Sequence, residues 1–249
     1  MINVLMCVYK SGDVLGLTLQ QLLSCPEISR ILVADGPHLG HISPGIKVDK
    51  PSVHEVVESF KTNRIYYRYT DTMPTRSAKN NNILPCASKD CKWMLTVDSD
   101  EVYHEAGLKR LVKYLKTAEY GRYRIKTIDL YKDFHHEFRI PDWKPRLYRH
   151  VKGNVCPKND RSHQYVFGAN QRKYNGGHKG FADMPPEICS LFHLNALRNP
   201  DVKNRVTETA DGKVVWKGGR TEFVSEIYEI ENKDLPQSIR EIGRETLWT

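Results

Sequence analysis

Trp93-Met94-Leu95-Thr96-Val97-Asp98-Ser99-Asp100-Glu101 is the stretch on which the reading of this chain turns. Its first five residues are apolar or β-branched and read as a buried strand. Three carboxylates follow within four positions. An unpaired charge is costly to bury, so acids that end an apolar strand belong at its carboxyl end, facing water, a cation or a ligand. In an open α/β sheet that edge is where ligands bind. Asp98 and Asp100 are two apart, and on an extended chain they would point to one side. Two converging carboxylates suit a hard divalent ion, Mg²⁺ or Mn²⁺. A solvated acidic turn would use the same residues; the apolar strand ahead of them tips the reading towards a metal.

The flanking sequence supplies the rest of a sheet. Ile2–Tyr9 is a first strand, and Ser11 or Asp13 opens a helix with Leu15, Leu19, Leu22 and Leu23 on one face, ended by Pro26. Arg30–Pro37 is a second strand, again closing on a carboxylate, Asp35, before Gly36-Pro37. Strand, helix and strand in this span make a βαβ unit, hence a parallel pair. Ser52 and Glu55 form a capping box ahead of an apolar stripe, Val53, Val56, Val57 and Phe60. Arg64–Tyr69 is a third strand, and 75–88 a helix ended or kinked by Pro85. A helix at 104–117, carrying Leu108, Leu111, Val112 and Leu115, follows the acids.

From Gly121 the texture changes. Tyr123–Tyr131 and Arg146–Arg149 read as strands rich in aromatics and positive charge, 150–190 as loops, and Leu191–Leu194 as a short apolar patch holding His193. Phe223, Val224, Ile227, Tyr228 and Ile230 suggest a final amphipathic helix. The expected architecture is one α/β domain over 1–210, with a nucleotide-binding half (1–101) and an irregular mixed acceptor half (102–210), then a helical extension over 211–249.

Composition narrows the classes. A hydrophobic fraction of 39% with 27% charged residues is globular and not disordered. No apolar run approaches the ~20 residues of a membrane span. Residues 1–8 read as a strand and not a leader, because no basic region precedes them and no small-residue cleavage site follows, so a cytoplasmic protein is expected. Six cysteines without a Cys-x-x-Cys pair read as free thiols. A net charge of +8 favours anionic partners: nucleotides, nucleic acid or an anionic membrane surface.

Taken together, the acids after an apolar strand, Val33-Ala34-Asp35-Gly36, Ala78-Lys79-Asn80, the stretch Pro141-Asp142-Trp143-Lys144-Pro145-Arg146-Leu147-Tyr148-Arg149 and the late His193, Arg198 and Lys203 resemble the GT-A glycosyltransferases of family 2. The resemblance covers about residues 1–205. It implies a Rossmann-like, mostly parallel sheet with helices on both faces and inverting transfer from a nucleotide-diphosphate sugar. It also implies Mn²⁺ or Mg²⁺ held by Asp100 and His193, with Asp98 bound directly or through water. Donor contacts would come from Val8, Tyr9, Asp35, Lys79, Asn80, Asp98, Ser99, Arg198 and Lys203. Lys79 stands where the family has Arg, and a point charge is not a fork. Asp142 is the candidate general base, with Asp160, His163 and Glu187 behind it, and Trp143 is a candidate stacking ring.

His193 would equally serve as a buried histidine satisfied by backbone. The implied acceptor is a surface glycan or lipid-linked sugar, with peripheral membrane contact, or a hydroxylated base in DNA for a virus-encoded enzyme working in host cytoplasm. Aromatic and basic residues at Tyr120–Arg124, Tyr131–Arg149 and Arg172–Tyr174 suit a nucleic-acid surface with stacking rings, or the rim of a sugar site. A nucleotidyltransferase on a similar scaffold and a non-catalytic nucleic-acid-binding module are the competing readings.

Overall fold

The structure is a computed structural model. It describes residues 1–37, 51–130, 133–138, 143–150, 156, 182–194, 206–208, 210–211, 213–218 and 221–240. Four strands make its parallel core: β1 (Ile2–Val8), β2 (Ile28–Asp35), β3 (Ile65–Tyr69) and β4 (Trp93–Val97). They lie in the order β3-β2-β1-β4, every neighbouring pair parallel. The chain therefore works outwards from β1 to one side, then returns to add β4 on the other. That reversal leaves a crevice at the carboxyl ends of β1 and β4, the place where Rossmann-like sheets take their ligands.

Alternation along these strands explains the helices. Val4, Met6, Val8, Ile31, Val33, Leu95 and Val97 face one side and pack on α1 (Gly12–Leu23), α2 (Val53–Ser59) and α4 (Glu105–Tyr114). Leu5, Leu32, Ala34 and Met94 face the other, against Ile83 of α3 (Arg76–Ile83) and Leu84 of the 3₁₀ turn that carries Pro85. Helices thus cover both faces, and β4 is buried along its whole length, as its unbroken apolar run requires. Ser52 and Glu55 form the reciprocal capping box, and Thr75 caps α3 through the Ala78 N–H.

Beyond β4 the sheet turns antiparallel. After β5 (Glu101–Tyr103) come β6 (Arg122–Leu130), β7 (His136–Phe138) and β8 (Trp143–Arg149), with β8 between β4 and β6. The short β9 (Ala182–Asp183) and β10 (Ser190–His193) both pair with β6, and β10 also pairs with β5. Tyr123 and Tyr148, in runs suited to a nucleic-acid surface or the rim of a sugar site, are core residues, and Arg149 lies 4.8 Å over the Trp93 ring.

The segment expected to form a final helix is a strand. β11 (Val206–Glu208), β12 (Lys213–Gly218) and β13 (Thr221–Glu229) are an antiparallel ribbon, and β13 extends the main sheet by pairing with β7. Phe223, Val224, Ile227 and Tyr228 fit a helical stripe, but β-branched and aromatic residues next to an equally β-prone run, Val214-Val215-Trp216, make pairing the better use of the segment. Only a 3₁₀ turn (Asn232–Asp234) and the single-turn α5 (Gln237–Arg240) are helical among the described residues after 210. Leu235 and Ile239 join Val14, Val102, Phe192 and Ile230 in a third apolar cluster, so this end of the chain completes a core. No described helix is long and apolar enough to cross a membrane.

Candidate functional site

The acids leave β4 in a turn and not in extended chain. The Glu101 N–H donates to the Asp98 carbonyl at 3.1 Å, and the Asp98 N–H donates to the Glu101 carboxylate at 3.2 Å. The period-two argument that aimed Asp98 and Asp100 together does not apply inside a turn, and the two carboxylates have different neighbours. The turn is held from outside: the Thr18 hydroxyl of α1 donates to the Ser99 carbonyl at 2.7 Å, and the Leu194 N–H to the Asp100 carbonyl at 2.9 Å.

Asp98 lies between two guanidinium groups. Arg76, the first residue of α3, donates to Oδ1, and Arg146 of β8 donates to Oδ2 at 2.6 Å. Burial pushes this carboxyl upward; Arg146 and then Arg76 outweigh it and hold it well below the usual carboxylate range. Glu101 departs furthest from expectation. It is fully buried and faces no solvent, because Arg146 also donates to it, at 2.8 Å from Nε, while Lys144 stands 3.4 Å away. Burial again opposes ionisation, and Arg146 with Lys144 keeps the carboxyl low.

A bulge places Arg146. In the ladder with β6, Tyr123 faces Leu147 and Arg124 faces Pro145, so Arg146 is the extra residue without a partner in that ladder. A bulge re-aims a side chain that strict alternation would send elsewhere, and here Arg146, Leu147 and Tyr148 are consecutively buried.

Asp100 faces His193. Its Oδ2 is 3.7 Å from Nε2, while Nδ1 of His193 is 2.7 Å from Asp129 of β6. Burial and Lys144 push the imidazole down, but Asp100 and Asp129 outweigh them and its pKa is raised. The other Asp129 oxygen, Oδ2, is buried with no partner among the described residues. This arrangement fits a divalent ion. A carboxylate on one ring nitrogen orients the other for a metal, and Mg²⁺-type sites use one or two carboxylates and leave further positions to substrate phosphates. Among the described residues no group of three or more His, Cys, Asp or Glu is arranged to hold a metal ion, so Asp100 and His193 would need ligands from elsewhere, and Asp98 would meet an ion only alongside its two arginines.

The residues expected to contact the donor lie at or beside the ends of β1 and β2. Asp35 is nearly buried, one oxygen taking the Gly36 N–H at 2.6 Å and the other the Tyr67 hydroxyl at 2.8 Å. Gly36 has φ +110°, and a Cβ there would lie 1.9 Å from the Thr70 carbonyl oxygen, so only glycine fits this turn. Lys79 is buried, with Nζ donating to the carbonyls of Val8 (2.7 Å) and Gly36 (2.5 Å). It staples the ends of β1 and β2 together, and burial lowers its pKa. Asn80 is equally buried, and its Oδ1 has no partner among the described residues. Tyr9 follows β1 and carries the Lys10 ammonium 5.5 Å from its ring centre.

Asp142, Arg198, Lys203, Asp160 and His163 lie outside the described residues. Glu187 is exposed, ahead of β10 and at the opposite end of that strand from His193. The structure thus brings Val8, Asp35, Lys79, Asn80, Asp98, Ser99, Asp100 and His193 to one sheet edge, and adds Arg76, Lys144, Arg146 and Asp129 as their partners. Two of the additions left traces in sequence. Arg146 is followed directly by Leu147 and Tyr148 in a strand buried there on consecutive residues, and Asp129 falls in the buried phase of β6 with Tyr123, Ile125 and Thr127.

No family model and no curated protein matches the sequence. Among solved structures, the chain is similar to Staphylococcus aureus TarS 1–349, at 16% identity and TM-score 0.41 over 59% of this chain and 46% of that one. The same fragment in complex with UDP-GlcNAc matches at 17% and 0.39. A 4-diphosphocytidyl-2C-methyl-D-erythritol synthase from Anaerococcus prevotii DSM 20548 matches at 14% and 0.41 over 74% of this chain and 88% of that one. The alignment spans less than half of the TarS fragment. The chain folds as a Rossmann-like α/β sheet with charged residues gathered at the carboxyl edge of its parallel strands.

Proposed function

We propose that this protein is a metal-dependent, inverting glycosyltransferase that moves a sugar from a nucleotide-diphosphate donor to an acceptor hydroxyl. One observation carries the reading: Asp98, Asp100 and His193 gather with Arg76, Arg146 and Lys144 at the carboxyl edge of β4, beside the crevice that the 3-2-1-4 strand order creates. The sequence resemblance to family 2 supports the same assignment.

The chemistry divides between the chain's residues. Asp35, closing β2, would take a ribose hydroxyl or a base N–H, and Asn80 would offer its Oδ1, which has no partner among the described residues. Asp100 and His193 are the side chains that would hold Mn²⁺ or Mg²⁺, and such an ion, when bound, supplies Lewis-acid stabilisation of a leaving diphosphate. Asp129 holds His193 by Nδ1 and leaves Nε2 on the Asp100 side. Arg146 keeps Asp98 and Glu101 ionised inside the protein, so that the acid turn is pre-set before any ligand arrives. Arg198 and Lys203 would add positive charge over the diphosphate. Asp142 is the general base of this reading; the residue after it, Trp143, begins β8 at this same edge.

The acceptor is a glycan or lipid-linked sugar, or a hydroxylated base in DNA; the +8 charge suits either an anionic membrane or a duplex. A salt titration of duplex binding separates them, a steep log–log slope marking DNA. The main test uses Asp100→Ala and His193→Ala. Each is expected to weaken Mn²⁺ binding, followed by electron paramagnetic resonance of free Mn²⁺, and to abolish transfer. Asp142→Asn is expected to lower turnover with donor binding kept. Undiminished turnover in excess chelator would remove the proposal.

A further inference from the structure

The residue that sequence similarity nominates to meet the donor's phosphates, Lys79, has its ammonium enclosed. Its Nζ donates to two main-chain carbonyls, interacts with the Cys7 thiol, and is about 1% exposed. Reaching a ligand would break those bonds and loosen the β1–β2 edge. One turn earlier, on the same face of α3, stands Arg76. Its side chain is 17% exposed, and its guanidinium reaches Asp98 at the carboxyl end of β4.

The two arginines on Asp98 are not equivalent. Arg146 is 2% exposed and shared with fully buried Glu101, so it cannot leave without stranding a buried charge. Arg76 is the more accessible of the two. Were it to turn away, Asp98 would keep its 2.6 Å bond to Arg146 and stay a paired carboxylate. A planar fork at this place can take two oxygens of a phosphate at once, which Lys79 could not do even if it were free.

We infer that Arg76 is the diphosphate-binding side chain of this site, exchanging Asp98 for phosphate oxygens of the donor, while Lys79 is a structural staple. The inference rests on the donor reading above. It moves the family's phosphate-facing cation by one helical turn.

The test compares a nucleoside diphosphate with its bare nucleoside. UDP, GDP, CDP and ADP are titrated calorimetrically into the wild-type protein with Mn²⁺, and the nucleoside of the tightest binder is titrated beside it. Arg76→Gln is expected to weaken the diphosphate roughly 10- to 100-fold and the nucleoside less than about threefold. Arg76→Lys is expected to recover only part of the loss. A merely structural role would weaken both ligands alike, and that result, or unchanged diphosphate affinity, overturns the assignment of Arg76 while leaving the donor reading intact. If Arg76→Gln does not melt cooperatively, the comparison is made with Arg76→Lys, where an unchanged diphosphate-to-nucleoside ratio overturns the assignment. If the wild-type protein binds none of the four diphosphates, the donor reading fails and the inference fails with it.

Discussion

Arg146 ties the acid turn to the second half of the molecule, and its removal should be felt first in stability. Glu101 would be left buried with Lys144 as its remaining cation among the described residues. Breaking one side of a buried ion pair costs about 3–5 kcal/mol, so Arg146→Met should lower the denaturant midpoint accordingly. Adding Glu101→Gln removes the stranded charge and should recover part of that loss; no recovery would mean that the pair is not the source. Thiols give a second check at this scale. Burial pushes Cys25 and Cys91 up to about 11 and Cys189 up to about 12, while Cys86 is half-buried. At neutral pH a disulfide reagent should therefore modify Cys86 well before these three, which should react only as the protein opens. Where Asp98 and Asp100 sit was legible in the sequence, because an apolar strand can end in acids only at an edge. His193 was paired with Asp100 only through the family resemblance, and Arg76 and Arg146 were not legible, because they come from two other elements and meet Asp98 beside a turn, where alternation no longer predicts direction.

Among elements, the turn after β2 and the strand β13 are the most exposed to test. Gly36→Ala would force a Cβ against the Thr70 carbonyl at a positive φ, and its own carbonyl holds Lys79. The substitution should destabilise by more than the ~1 kcal/mol of an unstrained glycine change and should weaken nucleotide binding, since it moves Asp35. For β13, backbone carbon chemical shifts over 221–229 should be strand-like, with amides protected where it meets β7; helical shifts would contradict the described pairing. The helices of the first half could be read from caps and stripes, since those signals are local. The fate of 221–229 could not, because it depends on partners in β7 and β12 far along the chain, and because its apolar spacing satisfies both periods. The Gly218-Gly219 pair between two β-prone runs was the available sign of a hairpin.

At the scale of the molecule, the order 3-2-1-4 makes the crevice, and the antiparallel half closes one side of it with β8 and β10. The parallel core was legible because βα units follow one another in sequence. The later strands were not, because antiparallel neighbours need no such order. The edge of β4 is proposed to receive a nucleotide sugar with a divalent ion. The most direct measurement is to incubate the protein with Mn²⁺ and a panel of nucleotide-diphosphate sugars, following thermal melting and the phosphorus-containing product together. One sugar nucleotide should raise the melting temperature only when Mn²⁺ is present, Asp100→Ala should abolish the rise, and the product should be a nucleoside diphosphate. No stabilisation by any donor, or release of pyrophosphate in place of a nucleoside diphosphate, would contradict it.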